Sequence, residues 1–286
     1  MIKNIAIVTI VVTYSAIFAG EDKIELKLSN FYKGFAVHPA NDEKMKMFYW
    51  FYEHNMFDAI KKGQASKGHA IKGEVLKDGT SAHFKFECLS LETKTRDGGL
   101  DLVLKVENKT DHDWTELAAI IPCFSPEFIK GKGKKHNNTG ENFNPEDFTN
   151  ENMANVKTYI YTGDKLQKLI RRNIHYNNDY REKINTEATN GQFKWTNKWP
   201  LAEPNASKGV MIRESTDGEY VTGIAWEDFI SVQGHNPWCC MHLSIRVGAL
   251  KKGESKTIRG RIYLFKGNKD ECMELFKKDF TKWKTK

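Results

Sequence analysis

The chain has 286 residues, 40% hydrophobic and 12% aromatic, which excludes a disordered polymer and leaves room for one large sandwich or two small domains. Its formal charge of +7 comes from 44 basic against 37 acidic residues, an excess that favours anionic partners. The bases are scattered, the densest group being Lys130, Lys132, Lys134 and Lys135, so neither the footprint nor the module of a nucleic-acid binder is present.

Lys3 gives a short positive start, and the run from Ile5 to Phe18 is largely apolar. Ala19 and Gly20 follow as small residues before Glu21, Asp22 and Lys23 end the hydrophobicity. The run falls short of the ~20 residues of a membrane-spanning helix. Charged start, apolar middle and small-residue end mark a removable signal peptide. Residues 1–20 are therefore set aside, and residues 21–286 are expected to form one β-sandwich domain, periplasmic or secreted, with no membrane contact after cleavage.

Ile24–Leu28 alternates apolar and polar residues and starts a strand. From Met45, the residues Phe48, Tyr49, Tyr52, Met56 and Ile60 fall three and four apart. That spacing predicts a short N-terminal helix, capped by Asn41 or Asp42 and ended by Gly63. Between residues 70 and 125 the period becomes two. Phe84, Phe86, Cys88 and Leu89–Leu91 mark one strand, and Leu102, Leu104 and Val106 the next. Asp78-Gly79 and Asp97-Gly98-Gly99 punctuate them as hairpin turns. A further turn at Asn108–Asp111 leads to the apolar run Leu117–Phe124.

Residues 130–155 lose the pattern and predict a long loop or excursion, a place where function often sits. Regular structure resumes at Thr158–Tyr161, then breaks again in the polar stretch Arg171–Thr189. Val210–Arg213 and Tyr220–Trp226 predict a hairpin around Thr216-Asp217-Gly218, and His242–Val247 with Thr257–Phe265 predict another. Cys272, Leu275, Phe276, Phe280 and Trp283 share one face of a closing helix. Together these elements predict a mainly β chain: an antiparallel β-sandwich with a short N-terminal helix and a C-terminal helix.

The five cysteines are Cys88, Cys123, Cys239, Cys240 and Cys272. Disulfides persist outside the cytoplasm, but an odd count leaves one thiol over. Cys88 and Cys123 lie on separate predicted strands and can pair, whereas adjacent Cys239 and Cys240 point to opposite faces of an extended chain. Buried free thiols are the default expectation. No CxxC pair is present, and His235, His242 and His175 match no ligand spacing, so no metal and no cofactor is expected.

Three stretches carry candidate chemistry. The densest is WEDFISVQGHNPWCCMH, Trp226 to His242. His235 is its candidate proton-transfer group. Trp238 offers a flat apolar face to a sugar ring, and Gln233 and Asn236 offer hydrogen bonds to hydroxyls. The stretch Arg171–Arg181 adds His175 and Tyr176 as base or acid, the equipment of a polysaccharide lyase, with an Arg such as Arg213 or Arg246 for the uronate carboxylate. Trp195, Lys198 and Trp199 interleave aromatics and bases in a way that suits an anionic glycan. A glycoside hydrolase needs instead two carboxylates ~5–9.5 Å apart, for which Glu214, Asp217, Glu227 and Asp228 are available.

The stretch GIAWEDFISVQGHNPWCCMHLSIRVGALKKGESKTIRGRIYLF resembles the C-terminal half of an uncharacterised family of exported bacterial proteins. Its close, a Cys-x-His strand, a Lys-Gly-Glu-Ser turn and a further strand, resembles the ending of galactose-mutarotase-like sandwich proteins. The resemblance covers about the last quarter of the chain. It implies a carbohydrate-binding sandwich, a mutarotase-like supersandwich being one form, and brings no catalytic residues with it. The function expected is an exported protein that cleaves an acidic polysaccharide by β-elimination. The alternatives are a non-catalytic carbohydrate-binding protein and a hydrolase with paired carboxylates.

Export has a direct test. Material recovered from the periplasm or medium is expected to begin within a few residues of Ala19 by N-terminal sequencing. Intact Met1 in a membrane fraction is the contrary result.

Overall fold

The computed structural model describes residues 24–43, 45–71, 73–126, 157–170, 173–180, 182, 201–215, 218–234, 236 and 240–284. Residues 1–20, expected to be a signal peptide, lie outside them. No helix among the described residues is long and apolar enough to cross a membrane. Two antiparallel sheets carry almost all the regular structure.

The first sheet opens with the hairpin β1 (Leu26–Phe31) and β2 (Gly34–Pro39), followed by β3 (Met47–Asn55). A single helical turn, α1 (Ala59–Lys62), and the two-residue β4 (Ser66–Lys67) come next. The hairpin ladder β5 (Gly73–Val75), β6 (Ser81–Phe86), β7 (Leu89–Arg96) and β8 (Gly99–Glu107) builds one end of the second sheet. The chain returns to the first sheet with β9 (Ala119–Pro126). It then makes β10 (Lys157–Thr162) and β11 (Lys165–Lys168) in the second, and β12 (Ile174–Tyr176) in the first. The hairpin β13 (Val210–Glu214) and β14 (Tyr220–Trp226) joins the second sheet. Next, β15 (Phe229–Gln233) and β16 (His242–Arg246) pair in the first. The long β17 (Ser255–Lys266) and the helix α2 (Lys269–Lys284) end the chain. The first sheet runs β1-β2-β3-β9-β16-β15-β12, with β4 beside β3, and the second runs β11-β10-β13-β14-β17-β8-β7-β6-β5.

The expected N-terminal helix is a strand. In β3, Met47, Tyr49 and Phe51 are buried on every second residue, which is the sheet period. Three residues, Phe51 to Glu53, then face only Pro122 on β9, because Trp50 pairs with Cys123 and His54 with Ile121. This bulge turns Tyr52 inward as well, and so produces the three- and four-residue spacing of a helix. Gly63 does end a helix, with φ of 69°, but that helix is the single turn α1.

Two other boundaries differ from expectation. Phe84 to Leu91 is not one strand: Glu87 and Cys88 form a tight turn between β6 and β7, with Glu87 at a φ of 37°. The strands β16 and β17 are not a hairpin either, since β16 pairs β15 and β9 while β17 pairs β14 and β8. The segment between them crosses from one sheet to the other. The β7–β8 and β13–β14 hairpins form as the turn residues require, with Gly98 at a φ of 72° that other residues resist.

The apolar sides of the two sheets face one another. Phe35 of the first sheet meets Tyr49 at a centroid distance of 5.3 Å and Phe84 of the second at 5.6 Å. Helix α2 covers the far side of the second sheet, laying Cys272, Met273, Phe276 and Phe280 on Val210, Ile212, Val221 and Ala225. It starts in a reciprocal cap: Asn268 Oδ1 accepts from the Asp270 and Glu271 amides, and Glu271 Oε2 accepts from the Asn268 amide. Near its other end Asp279 bridges to Arg261 at 3.0 Å and Arg96 at 3.3 Å, and accepts from the Tyr263 hydroxyl.

Removing that carboxylate leaves the nearly buried Arg261 guanidinium with Asp101, at 3.1 Å, and takes the acceptor from Tyr263. Asp279→Ala is expected to destabilise the fold by about 2 kcal/mol. The measurement is a lower urea midpoint at unchanged slope; an unmoved midpoint refutes the docking role.

Candidate functional site

The face of the first sheet turned away from the second is where polar side chains gather. Core residues alternate with outward ones along each strand, and pairing lines the outward ones up. Trp50 on β3 pairs with Cys123 on β9. The bridge between Phe124 and Met241 sets Cys123 against His242 one step on, and His242 pairs with Gln233 on β15. Trp50, Cys123, His242 and Gln233 therefore stand in one row across four strands. Cys240 lies two residues before His242 and points the same way along the extended chain.

Hydrogen bonds fix the polarity of this row. The Cys240 amide donates to Asn236 Oδ1 at 3.2 Å, and Asn236 Nδ2 donates to the Cys240 carbonyl at 2.8 Å. The Asn236 amide has one orientation as a result, so its nitrogen also donates to Gln233 Oε1 at 3.3 Å. That oxygen is then an acceptor for His242 Nδ1 at 2.5 Å, which must carry a hydrogen. The other ring nitrogen, Nε2, lies 3.2 Å from Glu53 Oε2, an ion-pair contact without the alignment of a hydrogen bond.

The sulfurs of Cys123 and Cys240 are 2.8 Å apart, and ligand-type atoms of Cys123, Cys240 and His242 all lie within 4.8 Å of one another. Lys33 holds its ammonium 3.9 Å from the centre of the Trp50 ring, at the edge of the group. Burial works against a charge on His242, but its contacts with Cys240 and Glu53, and the Glu53 charge, outweigh it and push its pKa up to about 10. The Cys123 thiol is raised by its hydrogen bond with Cys240 and by burial.

Of the expected site residues, Gln233 and Asn236 belong to this group. His235, Trp195, Lys198, Trp199 and Trp238 lie outside the described residues. His175 pairs with Val232 and turns with it to the inner face, where its Nδ1 meets the Pro204 carbonyl at 2.7 Å. Tyr176 is on the outer face but buried in an apolar cluster with Met56, Leu117, Ala119 and Ile230. Arg213 lies between the sheets, 1% exposed, donating through Nε to Thr158 Oγ1 at 2.8 Å.

Arg246 is four residues beyond His242 on the outer face. Its guanidinium binds Glu116 and Asp228 and lies 4.0 Å from the Tyr180 ring centre, while Lys256 also reaches Asp228 at 2.9 Å. Arg213 and Arg246 thus occupy different layers and do not converge on one groove. Of the candidate carboxylates, Glu214 accepts from Tyr159 on the second sheet, Glu227 accepts from the Arg259 amide and Asp228 pairs with Arg246, while Asp217 lies outside the described residues.

Sequence reasoning did not single out Glu53, Lys33 or Trp50, and it weighed Cys123 and Cys240 only as thiols, not as parts of a site. The available signal was Cys240-Met-His242, a two-residue spacing that puts both donors on one side of a strand. Their partner Cys123 is 117 residues away and becomes a neighbour only through the β9–β16 pairing. Cys88, which the sequence allowed as a partner while free thiols were the default, sits half-buried in the β6–β7 turn of the second sheet, so that pairing is not formed.

No protein-family model and no curated protein matches the chain. Similar solved structures include the Slr1438 protein of Synechocystis sp., at 9% identity and a TM-score of 0.43, covering 86% of this chain and 94% of that one. A galactose mutarotase-like protein from Lactobacillus casei has 10% identity and a TM-score of 0.41, covering 86% and 98%. A polysaccharide lyase has 11% identity and a TM-score of 0.41, covering 88% of this chain but only 34% of its own. Galactose-mutarotase-like proteins are thus among the structural neighbours, at low identity.

The inward placement of His175 has a consequence for acid stability. Burial holds its pKa below the ordinary imidazole value of 6.5. Below that pH the unfolded chain takes up a proton that the folded chain refuses, so this contribution to stability, full above 6.5, is lost as pH falls. Urea unfolding at pH 7 and pH 5 is expected to show a smaller loss for His175→Gln than for the unaltered protein. Equal losses refute the assignment.

Proposed function

We propose that the chain is an exported carbohydrate-active protein whose polymer lies across the outer face of the first sheet. One observation supports this above others: Lys33 over the ring of Trp50 on that face. An indole offers area to the C–H face of a sugar, and an ammonium suits a carboxylate. The excess of seven positive charges favours an acidic polymer.

In the catalytic form of the proposal, the reaction is β-elimination. His235 takes the proton beside the uronate carboxyl, the bond to the glycosidic oxygen breaks as a double bond forms in the sugar ring, and that oxygen leaves with the proton that His235 returns. Trp195, Lys198, Trp199 and Trp238 are the further contacts proposed for the polymer. The export signal delivers the protein to where such polymers occur.

A panel of acidic and neutral polysaccharides tests this. Binding of an acidic polymer is expected to weaken about 10-fold in Trp50→Ala, and to fall with salt as charges are screened over ~8–10 Å. Turnover is expected to raise ultraviolet absorbance through the unsaturated product, and His235→Ala to lose about 10²–10⁴ of the rate. Binding without turnover leaves a carbohydrate-binding protein. Absence of binding to any member of the panel refutes the proposal.

A further inference from the structure

We propose that Cys123, Cys240 and His242, with Glu53 beside them, form a binding site for a divalent cation of the zinc class. This goes beyond the carbohydrate proposal and does not depend on it.

Four observations converge. The first is position: pairing of β9 with β16 brings two sulfurs and an imidazole within 4.8 Å of one another, and Glu53 Oε2 stands 3.2 Å from the same imidazole. Two thiolates, an imidazole and a carboxylate are a borderline-soft donor set, which selects zinc-like ions over magnesium or calcium.

The second is the orientation of His242. A ligating histidine commonly donates its other ring N–H to a fixed acceptor. Here Nδ1 is committed to Gln233 Oε1 through the chain that begins at the Cys240 amide, and Nε2 is the atom left facing Glu53. A lone pair on Nε2 opposite a carboxylate oxygen is repulsive unless a positive species sits between them. A proton does this without metal; a metal ion does it while also drawing in the two sulfurs.

The third is separation. The sulfurs at 2.8 Å are too far apart for a disulfide, whose bond is about 2.05 Å. An ion with metal–sulfur bonds of about 2.3 Å in tetrahedral array holds sulfurs about 3.8 Å apart. Binding therefore asks them to open by about 1 Å, a side-chain adjustment, as each thiol gives its proton to solvent. Any proton on His242 Nε2 goes to solvent likewise.

The fourth is charge. Two thiolates and one carboxylate exceed the ion by one negative charge, and Lys33 stands over the ring of Trp50, which pairs with Cys123.

Cobalt is the probe. Mature protein, freed of metal by chelation and reduced with a phosphine, is titrated with Co²⁺. One equivalent is expected to give thiolate-to-cobalt charge transfer and the visible bands of a tetrahedral ion, bleached by Zn²⁺. Gln233→Ala is expected to weaken binding about 10–100-fold by loosening His242. Cys123→Ser and Cys240→Ser are expected to abolish the charge-transfer band at one equivalent. Cys88→Ser and Cys272→Ser, remote from the group, are expected to leave it unchanged. If a cysteine variant does not fold, His242→Asn and Gln233→Ala carry the test by the same spectrum. Absence of a tetrahedral cobalt spectrum overturns the proposal. A cobalt spectrum unaltered in Cys123→Ser overturns it too, as does exported protein that carries a Cys123–Cys240 disulfide.

Discussion

Everything described above depends on one constraint: the apolar sides of two twisted sheets must cover each other. Side chains alternate along a strand, so once Phe35, Tyr49, Phe84, Leu91 and Ile262 are committed to the layer between the sheets, their neighbours have no choice of side. A one-residue slip of β16 would bring His242 and Ser244 into that layer and expel Leu243 and Ile245. The cost of burying an imidazole there, and of exposing two aliphatic side chains, holds the register. The positions of the outer-face residues follow from the packing of the inner face.

Alternation was visible wherever one side of a strand is buried and the other is wet. The ladder β6 to β8 and the hairpin β13–β14 were legible for that reason, with Gly79 and Gly98 marking turns. The helix α2 was legible from its apolar face, and its Asn268–Glu271 cap lay unused in the sequence. Legibility failed where both sides of a strand are covered. In β3 the aromatics occupy both faces around a bulge, so neither period survives intact. It failed again at β16 and β17, because adjacency in sequence predicts a hairpin and nothing local records that β17 finds its partners in the other sheet.

The site was partly legible. The stretch from Trp226 to His242 does hold Gln233, Asn236 and His242, which the structure links by hydrogen bonds. Local composition drew attention to that stretch because polar residues crowd a strand end. Composition could not supply Glu53 or Cys123, which arrive from β3 and β9, nor separate Arg213 from Arg246. Each arginine lies on a strand among apolar neighbours; what separates them is that Met211, two before Arg213, faces the layer between the sheets, whereas Ile245, next to Arg246, does so and turns Arg246 outward. Long-range pairing, not residue type, is the missing information.

The placement of β17 shapes how the chain reaches this state. In the second sheet the strands from β5 to β8 and those from β10, β11, β13 and β14 are joined only through β17, which pairs β8 on one side and β14 on the other. Of the strands in this sheet, β17 comes last in the chain. During synthesis the two halves of the sheet have no common edge until it has been made. Contacts of such long sequence separation form slowly, since loop closure precedes the stabilising contacts. Until β17 is made, β8 and β14 each stand as an edge strand with a row of unpaired backbone groups, open to pairing with another chain.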